Sequence, residues 1–366
     1  MSKTTKTRIK NIQVWPVNIS ITEPFTISKG EMKMAENIFV RITLTTGTHG
    51  YGEIAPFPAL TNETQDNCLA MAKSLLSELV GLDVLEYRAI SAQFETPLAL
   101  YPSVRCGLET AVLDALCREI GIPLWALWGG AAVKEYETDI TIPIRTVSET
   151  LTIARDWYQQ GFRIFKLKVG EKIEDDIETL SAFDNAFDDI SLIVDANQGY
   201  SVKEARLVAQ KLESLHARII TFEQPVDRHD IAGMADITKQ TSIPIAADES
   251  VFTVEDARRV IKERAANLIN LKITKSGLFP TVDIVTLCHA NNMPLMIGGM
   301  LETRIAMGCS FSLVLGLGGI TILDLDTPLL MADDPLQLGG YSYKGSRLVP
   351  WRSAGLGLVP REEPEN

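Results

Sequence analysis

The feature of this 366-residue chain that most restricts its fold is a repeat of strand-like and helix-like segments that begins near residue 136. Eight short apolar segments, typical of strands, alternate with segments of helical length. A polar or small residue lies near the C-terminal end of each strand-like segment, and successive ones are 24 to 29 residues apart. These residues are Thr141, Lys166, Asp195, Glu223, Asp248, Lys272, Gly298 and Asp324. The steady spacing predicts a closed barrel of parallel strands with its active site at the C-terminal strand ends.

Two of the intervening segments carry helix start signals. Ser201 with Glu204, and Thr253 with Asp256, have the spacing of a capping box.

An open doubly wound sheet would also explain the alternation, but such a sheet usually has a glycine-rich phosphate turn after its first strand. The segment ITIPIRTV, residues 140–147, contains no glycine. We therefore predict an α/β fold in which residues 136–330 form a (β/α)7β TIM-like barrel.

The first third of the chain does not repeat. The segments NIQVWPVNI, NIFVRITLTTG and THGYGEI alternate like strands, and Gly47 and Gly50 predict a turn between two of them. Helices are predicted at about residues 65–95 and 103–120 from their apolar spacing. We expect residues 1–130 to form an α+β capping domain. Residues 340–366 are predicted to complete it, because GGYSYKGSRLVPW is typical of a hairpin.

Composition and charge argue against several classes of function. The net charge of −12 is unsuited to a nucleic-acid or anionic-membrane surface, so neither partner is expected. The five cysteines are scattered, without a CxxC pair, and predict reduced thiols in a cytoplasmic protein. No hydrophobic run follows the N-terminal MSKTTKTRIK, and no stretch approaches 18 uncharged apolar residues. We therefore expect neither a signal peptide nor a membrane span.

Three adjacent strand ends are carboxylates: Asp195, Glu223 and Asp248. Neighbouring strands of a sheet lie about 5 Å apart, so these side chains are expected to converge. Unpaired, they would repel one another, and a hard divalent cation would relieve the repulsion. Oxygen-only ligands indicate Mg²⁺, with Mn²⁺ as an alternative, whereas zinc is disfavoured because no His or Cys joins the set.

Lysines flank the carboxylates on both sides. Lys166 and Lys168 share one face of the strand FKLKVG, and Lys272 lies on a strand at the opposite side of the barrel. Lysines crowded beside one another and a dication are expected to have lowered pKa values, so that one can act as a general base. A base on each side of a metal-bound carboxylate suits inversion of the neighbouring carbon through an enediolate. A lone KxK or DxN is usually a solvated edge or a cap, but five such residues in phase with the barrel repeat favour a site.

At this point the sequence resembles the enolase superfamily, and within it the muconate lactonizing enzyme subgroup. The motifs that carry the resemblance are KLKVG, VDANQGY, EQPV, ADESVF and NLKITKSG. The resemblance implies metal ligands at Asp195, Glu223 and Asp248. It also implies Lys168 and Lys272 as the acid/base pair, with Lys166 supporting Lys168 and touching the substrate carboxylate. The mandelate-racemase subgroup is disfavoured because His216, His229 and His289 lie in helical or connecting segments.

The stretch DLDTP narrows the resemblance to the dipeptide epimerases. Asp324 and Asp326 alternate on the eighth strand, where they could be two solvated carboxylates or could capture an ammonium group. A substrate with a carboxylate and an ammonium one residue apart is a dipeptide. The resemblance implies that Thr141 and backbone groups near Gly299 and Leu301 line this small-molecule substrate.

The identity of the dipeptide depends on loops of the cap. The resemblance places Gly30 where Ala-Glu epimerases carry an arginine for the glutamate side chain, although Lys29 or Lys33 could substitute. Other residues expected near the substrate are apolar, and they are Ile27, Met32, Phe57, Leu60 and Ile322. These residues favour hydrophobic dipeptides, unless they serve only to pack the cap on the barrel.

Alternative functions stay open at this stage. L-Ala-D/L-Glu epimerase activity, or o-succinylbenzoate synthase or muconate cycloisomerase chemistry, would use the same scaffold, but the last two substrates have no ammonium for the DxD pair. A Schiff-base aldolase would not need three carboxylates. A non-catalytic binding protein would not need all five catalytic-type residues. The family resemblance also allows a homo-oligomer.

Overall fold

A computed structural model describes residues 6–337 and 339–364 of the chain. Residues 1–5 and the last two residues of the predicted cap lie outside this description. The prediction that the N-terminus carries no signal peptide falls in part on residues 1–5. The N-terminal part begins with an antiparallel sheet in the order β1-β2-β3. Its strands are β1 (Ile9–Ile27), β2 (Gly30–Leu44) and β3 (His49–Ile54). The helices that follow are α1 (Pro58–Thr61), α2 (Gln65–Leu79), α3 (Tyr87–Gln93), α4 (Pro102–Ile120) and α5 (Leu124–Leu127).

Two expectations about this part of the chain are wrong. The single helix predicted over residues 65–95 is broken after α2, because Gly81 adopts a left-handed φ of 89° and a 3-10 turn, Val84–Glu86, precedes α3. Gly50 lies inside β3 and not in the turn. A Cβ added at Gly50 would lie 2.2 Å from the Ala115 backbone nitrogen, so the glycine lets α4 pack against the sheet.

The second part of the chain forms the predicted parallel sheet of eight strands. In chain order they are β5 (Ile140–Ile142), β6 (Ile164–Lys168), β7 (Ser191–Asp195), β8 (Arg218–Glu223), β9 (Ile245–Ala247), β10 (Leu268–Leu271), β11 (Leu295–Ile297) and β12 (Ile320–Leu323). Each strand pairs with the next in sequence. The connecting helices are α6 (Val147–Gln159), α7 (Ile173–Ala186), α8 (Val202–Glu213), α9 (Ile231–Gln240), α10 (Val254–Glu263), α11 (Ile273–Ser276), α12 (Leu278–Ala290) and α13 (Arg304–Leu317).

The first and last strands of this sheet meet. The backbone N–H of Asp139, directly before β5, donates to the carbonyl of Leu323 at the end of β12 over 3.2 Å. Both predicted capping boxes are present, with Ser201 and Glu204 starting α8 and Thr253 and Asp256 starting α10. The result is the predicted (β/α)7β architecture, since helical connections join successive strands.

The C-terminal segment returns to the first part of the chain. Helix α14 (Thr327–Leu330) follows the last barrel strand, and β13 (Ser342–Lys344) and β14 (Arg347–Val349) form a small antiparallel sheet with β4 (Tyr136–Glu137). Beyond it, the buried Asp114 carboxylate of α4 accepts from the Leu356 backbone N–H at 2.6 Å and pairs with Arg118. Across the described chain, no helix combines the length and hydrophobicity needed to cross a bilayer.

Candidate active site

The site is built at the C-terminal ends of the barrel strands. Lys166 and Lys168 are buried on β6, and their side chains point into the barrel because Phe165 and Leu167 face the helices. Lys166 Nζ lies 2.9 Å from Glu223, 3.1 Å from Asp195 and 2.7 Å from Asp324. Lys168 Nζ lies 2.6 Å from Asp195. The like charges that the sequence places side by side are therefore each matched by carboxylates.

The three predicted metal ligands occupy consecutive strand ends. Asp195 ends β7, Glu223 ends β8 in register with it, and Asp248 directly follows β9. All three carboxylates are fully buried. Asn270 donates to Glu223 at 2.7 Å and the Asn197 backbone N–H donates to Asp195 at 2.9 Å.

Lys272 directly follows β10, and its Nζ lies 2.7 Å from Asp248. Strands β6 and β10 are the second and sixth of eight, so Lys168 and Lys272 lie on opposite sides of the barrel. Lys275, one helical turn later, also contacts Asp248, at 2.6 Å, and donates to its backbone carbonyl. Sequence analysis missed Lys275, although it lies three residues after Lys272 in the same motif, NLKITKSG.

Burial and the neighbouring carboxylates dominate the electrostatics of the lysines. Burial lowers the pKa of Lys166, but the carboxylates of Asp324 and Glu223 raise it, and the net pKa lies well above the ordinary value. Lys272 behaves likewise, with Asp248 as the largest opposing charge, and its net pKa is also raised. The lowered pKa values expected for lysines beside a dication stay a prediction, because these values reflect ammonium groups in contact with carboxylates alone. Burial lowers the pKa of Lys275.

The carboxylates suit a divalent cation. Burial and the Asp195 charge raise the pKa of Glu223, so an additional positive charge would stabilise its ionised form. Glu223 Oε2 and Asp248 Oδ2 accept no hydrogen bond of normal geometry from the described residues and contact only lysine ammonium groups. The donor set is oxygen only, which matches Mg²⁺ and not zinc.

The eighth strand brings its two aspartates to the same region. Both lie just after β12 and not on it, and Asp326 accepts from the Thr141 backbone N–H at 2.6 Å. A third carboxylate, Asp139, joins them, and oxygens of the three lie within 4.8 Å of one another. Sequence analysis missed Asp139, although its alternation with Thr141 at the start of β5 places both side chains on the same face.

The loop after β11 faces the site with its backbone. Gly299 and Met300 line the cavity between the lysines, whereas Leu301 is outside the lining and its carbonyl accepts from Asn37 of β2 at 2.8 Å. The buried Glu302 carboxylate accepts from the Met300 backbone N–H and the Thr274 hydroxyl, both at 2.7 Å. These bonds fix the loop that the resemblance assigns to the substrate.

The hairpin of β1 and β2 covers the site. Phe25 and Ile27 are buried against it, and the Phe25 ring lies 5.8 Å from Lys168 Nζ. The Ser28 hydroxyl lies 3.0 Å from the carbonyls of both Ala196 and Asn197, in the loop after β7. The cavity beneath it has a volume of about 30 Å³, room for about two water molecules. A larger substrate requires residues that line the cavity to move.

Residues proposed to set the substrate preference divide into three groups. Ile27, Phe57 and Leu60 line the cavity together with Phe25 and Met300. Gly30, Lys29 and Lys33 are exposed at the hairpin, and Lys33 pairs with Glu31 at 3.4 Å. Met32 and Ile322 are half-buried outside the cavity lining.

Comparison with known protein families identifies the family to which this chain belongs. Residues 9–129 match the family model described as the N-terminal domain of mandelate racemase / muconate lactonizing enzyme, and residues 149–364 match the enolase C-terminal domain-like model. The chain therefore belongs to the enolase superfamily, and within it to the dipeptide epimerases, as the following relatives indicate.

The relatives cover almost the whole chain. The aromatic dipeptide epimerase of Herpetosiphon aurantiacus is 37% identical over 353 residues, which are 96% of this chain and 99% of that protein. The substrate-liganded L-Ala-D/L-Glu epimerase of Bacillus subtilis superposes with a TM-score of 0.93 at 31% identity, covering 96% and 99% of the two chains. The dipeptide epimerase of Enterococcus faecalis, complexed with Mg and L-Leu-L-Tyr, gives 0.92 at 31% identity with the same coverage.

Proposed function

We propose that this protein is a metal-dependent dipeptide epimerase that inverts the α-carbon of the C-terminal residue by two-base 1,1-proton transfer. The observation that carries the proposal is the pair Lys168 and Lys272, which line one cavity from opposite sides of the barrel. An inversion needs one group to remove the proton and another to deliver one from the other face. The names of the relatives, which are epimerases of several dipeptides, support the same reaction.

The chain's own groups divide the work. Lys168 and Lys272 exchange the α-proton at their Nζ atoms, each oriented by its carboxylate partner, Asp195 or Asp248. Lys166 places an ammonium group beside the substrate carboxylate, where negative charge grows as the α-proton leaves. The hairpin excludes water from the cavity once the substrate is inside.

Asp195, Glu223 and Asp248 would hold a Mg²⁺ ion, or Mn²⁺ in its place. The ion would supply positive charge next to the substrate carboxylate and acidify the neighbouring α-carbon. The Enterococcus faecalis relative was crystallised with Mg and a dipeptide, which supports this choice.

The cavity favours dipeptides with hydrophobic side chains. Phe25, Ile27, Phe57 and Leu60 contribute its apolar wall, and the cations in its lining are the three site lysines. Lys29 and Lys33 are exposed and outside the cavity lining, so the described residues offer no dedicated partner for a glutamate side chain. This arrangement supports hydrophobic dipeptides over L-Ala-L-Glu.

The same arrangement disfavours the related chemistries. Substrates of o-succinylbenzoate synthase and muconate cycloisomerase lack an ammonium group, and the carboxylates of Asp324 and Asp326 would repel them.

The buried thiols of all five cysteines are unpaired, which supports a reducing, cytoplasmic location.

The family resemblance predicts a homo-oligomer. Light scattering coupled to size-exclusion chromatography tests this prediction.

A library experiment tests the proposal. The protein is incubated with Mg²⁺ in D₂O and pools of L,L-dipeptides, and mass spectrometry records which members gain one deuterium. We expect uptake in pools with a hydrophobic C-terminal residue. Uptake confined to acidic C-terminal residues would retain the epimerase and refute the hydrophobic preference. Absence of uptake from every pool, with the metal shown to be bound, would favour the synthase or cycloisomerase chemistry.

A further inference from the structure

A buried carboxylate without an assigned role lies beside the two aspartates of the DxD motif. Oxygens of Asp139, Asp324 and Asp326 all lie within 4.8 Å of one another. Asp139 directly precedes β5 and Asp326 follows β12, so the three groups meet where the barrel closes. Asp139 and Asp326 have no exposed surface, and Asp324 is 4% exposed.

The trio has more acceptors than donors. Neither oxygen of Asp139 has a hydrogen-bond partner among the described residues, and neither has Oδ1 of Asp326. Among the described residues, the trio accepts hydrogen bonds from the Thr141 backbone N–H, on Asp326 Oδ2, and from Lys166 Nζ, 2.7 Å from Asp324 Oδ2. Lys166 is shared with Glu223 and Asp195, so its charge does not balance the trio. A buried carboxylate with both oxygens free is costly unless a cation reaches it.

The spacing of the oxygens is compatible with a primary ammonium group. A primary ammonium group directs three N–H bonds at tetrahedral angles, and each charge-assisted hydrogen bond is about 2.8 Å long. Three acceptors arranged in this way are separated from one another by about 4.6 Å, as follows from that bond length. A separation of no more than 4.8 Å within the trio is compatible with this arrangement. Lys166 Nζ already contacts Asp324, and it repels a singly charged ammonium group less than it would repel a dication.

We propose that Asp139 is the third acceptor for the α-ammonium group of the dipeptide, beside Asp324 and Asp326, so that each ammonium hydrogen has its own carboxylate. This inference rests on the proposed function. Burial, followed by the charges of Asp324 and Asp326, raises the pKa of Asp139 well above its usual range, so a cation beside the trio would favour its ionised form. The consequence for specificity is that a free primary amine is required at the N-terminus of the substrate.

The test is the variant Asp139→Asn, which keeps the shape of the side chain and removes the charge. L-Ala-L-Leu and N-acetyl-L-Ala-L-Leu are compared as substrates by deuterium uptake and as ligands by titration calorimetry, all with Mg²⁺ present. Asp184→Asn is the matched control, because Asp184 is a half-buried carboxylate on the outer helix α7 that accepts two backbone N–H bonds.

We expect Asp139→Asn to raise the KM and Kd of L-Ala-L-Leu about tenfold or more, the loss of one charge-assisted hydrogen bond, with kcat changed less. The acetylated dipeptide, which lacks the ammonium, should be bound as weakly by the variant as by the wild type. An equal loss for both ligands, or an unchanged Kd for L-Ala-L-Leu, would overturn the assignment.

The experiment separates the inference from the proposed function. Wild-type protein that binds free dipeptides without exchanging deuterium would refute the epimerase, and the comparison of Kd values would still decide the role of Asp139. Wild-type protein that neither binds nor exchanges any dipeptide would overturn both.

Discussion

At the scale of single residues, the site is a group of buried charges in which each lysine has a carboxylate partner. Lys168 contacts Asp195 and Lys272 contacts Asp248, on opposite sides of the barrel. Lys272 was predicted from its position at a strand end, whereas the assignment of Lys168 as the second base came from the family resemblance. Their protonation could not be predicted in the same way, because it depends on the balance of all neighbouring charges in three dimensions.

Replacing one lysine should separate the two halves of the reaction. Lys168→Ala and Lys272→Ala should each reduce epimerisation by at least about 100-fold, the usual contribution of a general acid or base. Each variant should still exchange the α-proton of one epimer with D₂O, the epimer whose proton faces the remaining lysine, as followed by proton NMR. Lys29→Ala, exposed at the hairpin, is the control. Variants that both exchange the same epimer would contradict the two-base assignment.

A buried aspartate should make the stability of the substrate-free protein depend on pH. Burial, followed by the Asp324 charge, raises the pKa of Asp326 to about 7, whereas the unfolded value is about 3.9. Between these two values the folded chain holds a proton that the unfolded chain has lost, so this contribution to stability falls as the pH rises and then levels off above 7. The variant Asp326→Asn removes this dependence.

The free energy of unfolding of Asp326→Asn should therefore exceed that of the wild type by more at pH 7.5 than at pH 5. Urea titrations at the two pH values measure the difference. A difference that is larger at pH 5 would show that the pKa of Asp326 is not raised.

At the scale of elements, local signals were reliable and long-range contacts were not visible in the sequence. The capping boxes of α8 and α10 and the strand ends that carry the site were predicted, because each depends on residues close together in the chain. The break after α2 was missed, because helical spacing alone did not register the glycine at position 81. The family resemblance placed the β1–β2 hairpin near the site, but its individual contacts were not predicted, since Ser28 and its partner Asn197 are 169 residues apart.

Weakening the hairpin should affect binding more than chemistry. Ser28→Ala removes the hydroxyl that contacts Ala196 and Asn197, a loss of about 1 kcal/mol or roughly a fivefold rise in KM. The turnover number should change less, because Lys168 and Lys272 keep their partners. Steady-state kinetics measure both, with Lys33→Ala at the exposed hairpin as the control. A fall in kcat with an unchanged KM would contradict a closing role for Ser28.

At the scale of the whole molecule, the cap and the barrel form one site. The buried Glu53 carboxylate of β3 accepts from the Thr303 backbone N–H at 2.9 Å and from that of Ala306 at 3.0 Å, at the start of α13. We propose that residues 1–130 and 340–366 together form the cap, which the contact of Leu356 with Asp114 supports. The regular spacing of the chain predicted the barrel, and the hairpin pattern of residues 340–366 predicted their return to the cap, whereas the individual contacts between these distant segments required the structure.

Metal removal should report on the whole site. Treatment with EDTA should abolish deuterium exchange, and Mg²⁺ should restore it, because the carboxylates of Asp195, Glu223 and Asp248 then regain their counter-ion. Mg²⁺ should also raise the melting temperature of the wild type by mass action. Glu223→Gln, in which one ligand is neutral, should show a smaller rise. Full activity after verified metal removal would instead suit a metal-free mechanism.

The most direct test of the central claim is a proton NMR experiment with L-Ala-L-Leu, Mg²⁺ and the wild-type protein in D₂O, followed by chiral chromatography. The account predicts that the α-proton signal of leucine disappears, that the α-proton signal of alanine persists, and that L-Ala-D-Leu accumulates with deuterium at its α-carbon. Exchange at the alanine, or deuterated L-Ala-L-Leu without any of the epimer, would contradict inversion by Lys168 and Lys272.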